Sequence, residues 1–350
     1  MQIPLTQASR AGLEFLGATQ SYAGGVLQTR AASEYREAEP NPPFSIAERR
    51  DSVEGHLADS AAWAFDRFLT RWVAEEAYVR ALPAAEAARE EITGWAESRT
   101  PAGTLTLNPQ FAAPAYWENG FHLAPGGWDG HELMGPAIHE LVFGYILRPG
   151  GVGAVRHDEN LSDQRHVSAR CAPRDSYGHI IELGAGTGRF TTALAHTYPE
   201  ARITAVELSA SSLKYAHALS SDAGLAIDWY QAPAEDTRLE AGSADLVTAY
   251  TLMHEVPTES NQQILHEAFR LLAPGGDLMI CEVAPYEEHD AFRAVVLDWE
   301  TENRGEPYWR DALTMDLPGM LRAAGFTGIR SFGASERKYP WITLAGKPLA

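Results

Sequence analysis

Residues 179–190 read His-Ile-Ile-Glu-Leu-Gly-Ala-Gly-Thr-Gly-Arg-Phe. An apolar pair, Ile180-Ile181, runs into an acid, Glu182. Glycines then alternate at Gly184, Gly186 and Gly188, and a helical pattern follows. This predicts a strand, a tight turn and a helix N-terminus whose backbone comes close to a ligand. A dinucleotide fingerprint needs G-x-G-x-x-G, with pyrophosphate on the helix N-terminus. Here the third glycine comes one residue early, and Arg189 stands where that fingerprint has its last glycine. An acid just before the glycines sits poorly beside a pyrophosphate. It suits a ligand that carries a cationic amine.

Outward from this stretch, the pattern alternates. Strands are expected at 179–183, 202–207, 226–231, 244–250, 277–283, 326–333 and 340–346. Helices are expected between them at 188–198, 210–222, 258–272 and 315–324, with stops at Pro274-Gly275-Gly276 and Gly325. Strands joined by crossover helices imply an α/β, doubly wound, mostly parallel seven-stranded sheet. The last two strands lack a helix between them and should pair antiparallel.

The first 174 residues read as a mainly helical domain, and 175–350 as the sheet domain. Leu57, Ala61, Phe65, Phe68 and Trp72 recur at helical spacing, so a helix is expected over 52–82. Pro83 should interrupt it, with a second helix over 84–98. Gly24-Gly25 and Asn41-Pro42-Pro43 read as loops around a short helix. Residues 104–130 read as loop. Helices are expected at 131–147, ended by Pro149-Gly150-Gly151, and at 158–171.

Hydrophobic residues make up 45% and charged residues 21% of the 350, as in an ordinary globular chain long enough for a sizeable core. The formal charge of −19 disfavours nucleic acid and anionic membranes as partners. Cys171 and Cys281 form neither a disulfide framework nor a metal cluster. No secretory signal and no membrane-length apolar run is legible, so a cytoplasmic location is expected. His131-Glu132 and His139-Glu140 fail the H-E-x-x-H spacing, and no metal is expected.

The second strand ends at Glu207, a position suited to accept both hydroxyls of a ribose. With Glu182-Leu183-Gly184-Ala185-Gly186-Thr187-Gly188, Asp245-Leu246-Val247 and Leu271-Leu272-Ala273-Pro274-Gly275-Gly276, the order of motifs resembles the class I S-adenosylmethionine-dependent methyltransferases. The resemblance lies nearest the small-molecule branch that includes the ubiquinone and menaquinone C-methyltransferases. It is strong over 175–285, looser over 315–346, and does not extend to the first 150 residues. It implies a Rossmann-like methyltransferase fold and S-adenosyl-L-methionine as cofactor. Glu182 would orient the methionine amine, and Gly184, Ala185, Gly186 and Gly188 would form the loop around the cofactor. Glu207 would hold the ribose and Leu208 would pack on the adenine. The family's adenine-reading acid is expected where Pro233 stands. Either Glu235 or Asp236 takes that role, or backbone groups around Ala234 do. Tyr250 would contact the cofactor through its carbonyl.

The loop Thr251–Pro257 follows the fourth strand and should face the transferring group. His254 can act there as general base or merely shape the pocket, and Glu255 can orient it or bind a substrate amine. Tyr116, Phe121 and His122 belong to an aromatic stretch suited to an apolar acceptor. Trp299 and Trp309 lie in an insertion over 285–314 expected to cover that acceptor. Tyr22 can close over the cofactor, with Gly24-Gly25 as hinge. These features imply methyl transfer to a small-molecule acceptor, aromatic or otherwise apolar, with a homodimer through the N-terminal helices possible. Same-fold chemistry such as cyclisation, and a non-catalytic binding subunit, are the alternatives.

Overall fold

The computed structural model describes residues 1–119, 121–147 and 161–349. Its centre is an eight-stranded sheet in the order β1-β4-β3-β2-β5-β6-β8-β7. The strands are β1 (Thr104–Thr106), β2 (His179–Leu183), β3 (Arg202–Glu207), β4 (Ile227–Gln231), β5 (Ala244–Tyr250), β6 (Leu272–Glu282), β7 (Thr327–Gly333) and β8 (Trp341–Gly346). β1 to β6 pair parallel, and β8 lies antiparallel between β6 and β7.

β2 is central, and Ile180, Ile181 and Leu183 are buried. An apolar strand covered on both faces is what a parallel sheet requires. From β2 the chain steps outward through β3 and β4, then crosses back to the other side of β2 as β5. That reversal opens a crevice at the carboxyl ends of β2 and β5, where doubly wound sheets bind ligands.

The glycine loop leads from β2 into helix Arg189–Thr197. Gly188 caps that helix at φ +81°, and a Cβ there would lie 2.5 Å from the Trp229 ring. Gly188 therefore lets the helix seat against β4. A further tie joins the N-terminal half to the sheet. Ser209, which caps helix Ala210–Asp222, donates its hydroxyl to Asp129 Oδ1 at 2.8 Å, and the Ser211 amide donates to the same oxygen at 3.0 Å. The turn around Trp128 is thus pinned beside the end of β3.

The sheet elements lie within a few residues of their expected places. β6 differs most, because it starts at Leu272 and carries Pro274-Gly275-Gly276 within it, with a register shift opposite Ala244–Leu246. The eighth strand, β1, lies in the stretch expected to be loop. The N-terminal half departs further. Helix Ile46–His56 ends at Leu57, and Ser60 caps a new helix, Ala61–Ala87, that contains Pro83. Its buried stripe runs through Ala62, Asp66, Thr70, Val73, Ala77, Ala81 and Ala84, while Phe65 and Phe68 are 61% and 65% exposed. The buried face also takes in Trp63, Tyr78 and Leu82, and helix Gln7–Tyr22 packs against it. Gly24-Gly25 form no loop; they lie in a π-helical turn, Ala23–Leu27, that joins two helices. The expected helix over 131–147 is Met134–Pro136 continued by a π-helix, Ala137–Ile146. The Pro149-Gly150-Gly151 stop lies outside the described residues. Helix Leu161–Ala169 occupies part of the expected 158–171. No helix among the described residues is long and apolar enough to cross a membrane.

Candidate active site

The crevice is a cavity whose floor is the glycine loop and the ends of β2, β3 and β5. Gly186 adopts φ +53°, and nothing lies within 4 Å of where its Cβ would be, so the loop is open on its cavity side. Gly184, at φ +71°, instead faces Leu252, whose side chain would lie 2.7 Å from a Cβ added there. Ala185, Leu208, Ala234 and Tyr250 also line the cavity, whereas Gly188 does not. Its role is the packing against Trp229.

Two acids define the chemistry. Glu182 is 1% exposed, and its Oε2 has no hydrogen-bond partner among the described residues. Burial pushes its pKa up to about 8, with the Thr191 hydroxyl and Arg165 opposing and Glu207 adding to the rise. A carboxylate held this way favours an incoming cation. Glu207 accepts from the Gly186 amide at 2.8 Å through Oε2 and from the Ser209 amide at 2.8 Å through Oε1. These amides hold the carboxylate rigid at the cavity wall. Burial raises the Glu207 pKa, while the amides of Ser209, Gly186 and Leu208 pull it down.

Arg165 and Arg189 also line the cavity, and the sequence pattern assigns neither a role in ligand binding. The Arg165 guanidinium lies 4.2 Å from the Tyr250 ring centroid, and Arg189 lies over Phe143 at 4.8 Å. Burial lowers the Arg189 pKa to about 10, helped by Arg165. No local signal marks Arg165, because its helix meets the glycine loop only in the fold. Trp117, Trp128, Ile138 and Phe143 bring apolar surface from the N-terminal half.

Tyr116 reaches the cavity and donates its hydroxyl to Glu235 Oε1 at 2.8 Å. Glu235 lines the cavity with a buried Oε2 that has no partner among the described residues, whereas Asp236 is exposed. Of the two catalytic candidates, Glu255 lines the cavity and His254 lies behind it, 5% exposed. The Nδ1 of His254 meets Glu282 at 2.9 Å, its Nε2 meets Glu255 at 3.4 Å, and its ring packs on Trp309. Glu255 Oε1 also meets His122 Nε2 at 3.1 Å, and His122 Nδ1 meets Glu306 Oε1 at 2.7 Å. Burial pulls the His122 pKa down, but Glu306 and Glu255 outweigh it and hold it up to about 10. Burial likewise opposes charge on His254, and Glu282 and Glu255 hold its pKa well above the usual range. Burial would raise Glu255, yet the two imidazoles hold it below the ordinary carboxylate range.

The remaining acceptor candidates fall elsewhere. Phe121 is fully buried against Trp128 and Tyr308. Trp309 is buried beneath His254, and Trp299 holds the Arg67 guanidinium at 4.5 Å. Tyr22 is 51% exposed and does not line the cavity, and its glycine hinge is helical. The two His-Glu pairs have structural partners. His131 accepts from the Leu133 amide and Glu132 pairs with Arg89, while His139 meets Thr187 and Glu140 accepts from Tyr215.

Residues 180–276 match the family described as "Methyltransferase domain". The chain is 32% identical over 152 residues to a trans-aconitate 2-methyltransferase of Azoarcus sp., covering 42% of this chain and 56% of that protein. It is 31% identical over 173 residues to a ubiquinone biosynthesis O-methyltransferase of Xanthomonas axonopodis pv. citri, covering 48% of this chain and 70% of that protein. A phosphoethanolamine N-methyltransferase 2 of Haemonchus contortus, solved with S-adenosyl-L-methionine, is 14% identical, with 68% of this chain and 61% of that chain covered and a TM-score of 0.47. The chain belongs to the S-adenosylmethionine-dependent methyltransferases. The cavity fits that cofactor: a buried carboxylate at Glu182 whose Oε2 has no partner among the described residues, an open glycine at Gly186 and an amide-held carboxylate at Glu207 suit an amine, a close backbone approach and a ribose diol.

Proposed function

We propose that this chain methylates a small, aromatic or otherwise apolar molecule that enters between the N-terminal aromatic stretch and the loop Thr251–Val256. The observation that carries the reading is the cavity itself. Its polar groups cluster on the sheet side, at Glu182, Glu207, Arg165 and Arg189, and its apolar wall comes from Trp117, Trp128, Ile138 and Phe143. The N-terminal half then serves as an acceptor cap rather than a separate module.

In this reading Glu182 binds the methionine amine and Arg165 the carboxylate. Glu207 holds the ribose, Leu208 packs on the adenine, and Glu235 reads its amino group. The bound sulfonium supplies an electrophilic methyl group, so the protein's main task is positioning. The aromatic wall excludes water and aligns the acceptor. Glu255 is the anion nearest the acceptor, and it orients a hydroxyl or amine while His254 and His122 fix its carboxylate.

The test is incubation with isotopically labelled S-adenosylmethionine and a panel of small aromatic, aliphatic-acid and amine acceptors. The expected result is label in an apolar or aromatic product, together with S-adenosylhomocysteine. Label appearing only in strongly polar acceptors would overturn the assignment of the acceptor class.

A further inference from the structure

Beside the cavity, one nitrogen of His122 and one carboxylate oxygen each from Glu255 and Glu306 lie within 4.8 Å of one another. They come from three distant segments. The His122 backbone sits at φ +51° and Leu123 at φ +56°, a conformation that L side chains rarely adopt. The His122 amide donates to the Gly305 carbonyl at 2.8 Å, which locks this turn against the residue preceding Glu306. Glu306 is 4% exposed, and its Oε2 is buried with no hydrogen-bond partner among the described residues. Glu255 Oε2 is likewise buried and unpartnered. His122 takes one oxygen of each carboxylate, which leaves the second, buried oxygen of each available to an ion. His254 Nε2 lies 3.4 Å from Glu255 Oε1, so it too leaves Glu255 Oε2 idle.

We propose that His122, Glu255 and Glu306 form a binding site for one divalent first-row transition-metal cation at the edge of the methyl-transfer cavity. One imidazole and two carboxylates suit manganese, iron, cobalt or zinc better than calcium, which prefers oxygen ligands alone. Bond lengths of about 2.0–2.2 Å require the three donors to draw together around the ion, with His122 giving up one of its two carboxylate contacts. Two carboxylates and a neutral imidazole balance the charge of a divalent ion. Glu255 lines the cavity, so the ion's remaining positions face the acceptor space. The ligand class at those positions is an acceptor bearing an oxygen donor next to the atom that is methylated. The ion would hold that oxygen and polarise it as a Lewis acid, with no change of oxidation state. This last part rests on the proposed methyl transfer; the cation site itself does not.

The test uses the full chain, freed of metal by a chelator, and Co²⁺ as the probe, followed by its visible absorption bands. Wild type should take up one equivalent with micromolar or tighter affinity. His122→Ala and Glu306→Gln should each weaken uptake at least 10-fold, and Glu306→Asp should retain part of it. Calorimetry with S-adenosylmethionine on the same samples reports folding of the cofactor half. Variants that bind the cofactor as wild type does but lose Co²⁺ support the site. Absence of stoichiometric uptake by wild type, or equal uptake by wild type, His122→Ala and Glu306→Gln, overturns it. Loss of cofactor binding together with Co²⁺ in Glu306→Gln but not in Glu306→Asp also counts against it, because the residue would then be structural. Co²⁺ uptake by a wild type that fails to bind the cofactor would sustain the site and defeat the methyl-transfer reading instead.

Discussion

The two walls of the cavity are built by different kinds of sequence. The sheet wall comes from contiguous stretches in which strand, turn and helix start follow one another within a few residues. The cap wall is assembled from Tyr116, Trp117, Trp128, Ile138 and Phe143, which reach the sheet side through tertiary contacts such as Tyr116 to Glu235 and Arg189 over Phe143. The sheet wall carries fixed charge and backbone geometry suited to the methyl donor. The cap wall carries apolar area, which under the proposed function would select the acceptor by shape and polarity. Binding the methyl donor and choosing the acceptor are separate requirements, and in the proposed function the chain divides the two tasks along its own length.

The largest effect that would sharpen this contrast is expected at Glu207. Glu207→Ala removes a charged acceptor of two hydrogen bonds, each contributing about 1.5 kcal/mol. Calorimetry should show cofactor affinity falling by roughly 100-fold, and a fall under threefold would break the assignment of the sheet wall.

The glycines offer a finer division. Gly188→Ala forces a side chain into a left-handed position against the Trp229 ring, 2.5 Å away. Backbone strain and overpacking together should cost about 2–4 kcal/mol in urea unfolding. Gly186→Ala meets no protein atom within 4 Å, so it should cost only about 1 kcal/mol in stability while lowering cofactor affinity more than Gly188→Ala does. Equal stability losses in the two variants would contradict the separation of packing glycine from ligand glycine.

The pH response isolates Glu182. Its folded pKa, about 8, lies above the ordinary 4.5, so the folded protein binds the proton more tightly than the unfolded chain does. Below pH 4.5 both states are protonated and the group costs nothing. As pH rises from 4.5 to about 8 the cofactor-free protein should lose stability by about 1.4 kcal/mol per pH unit through this group, and no further above that. The measurement is the difference in unfolding free energy between wild type and Glu182→Gln across that range. A difference independent of pH would remove Glu182 as a buried, uncompensated acid.

The smallest effect is expected on the cap side. Tyr22 is half exposed and away from the cavity, so Tyr22→Ala should change neither cofactor affinity nor turnover by more than about twofold. A tenfold loss of turnover would show that helix Gln7–Tyr22 closes over the site.

The same division explains what is legible in the sequence. β2, the glycine loop and Glu207 are local patterns, and their positions follow from a short apolar run, turn chemistry and the short crossover. Gly188 is legible as a glycine, but its partner Trp229 is not, because that contact crosses two strands. β1 has three residues and exists by pairing with β4, far along the chain. Phe65 and Phe68 mark a helix but misidentify its buried face, which the helices packed against it decide. Arg165 and the His122–Glu255–Glu306 cluster join residues from segments that only the tertiary fold brings together. Glu255 is legible through its place after the fourth strand, yet its exposure to the cavity ahead of His254 depends on how Glu282 draws the imidazole back.

The most direct test of the central claim is calorimetric titration of the wild-type protein with S-adenosylmethionine, with NAD as a parallel titrant. One equivalent of S-adenosylmethionine bound per chain, with no heat from NAD, is the result this structure predicts. Heat from NAD alone, or from neither, would contradict it.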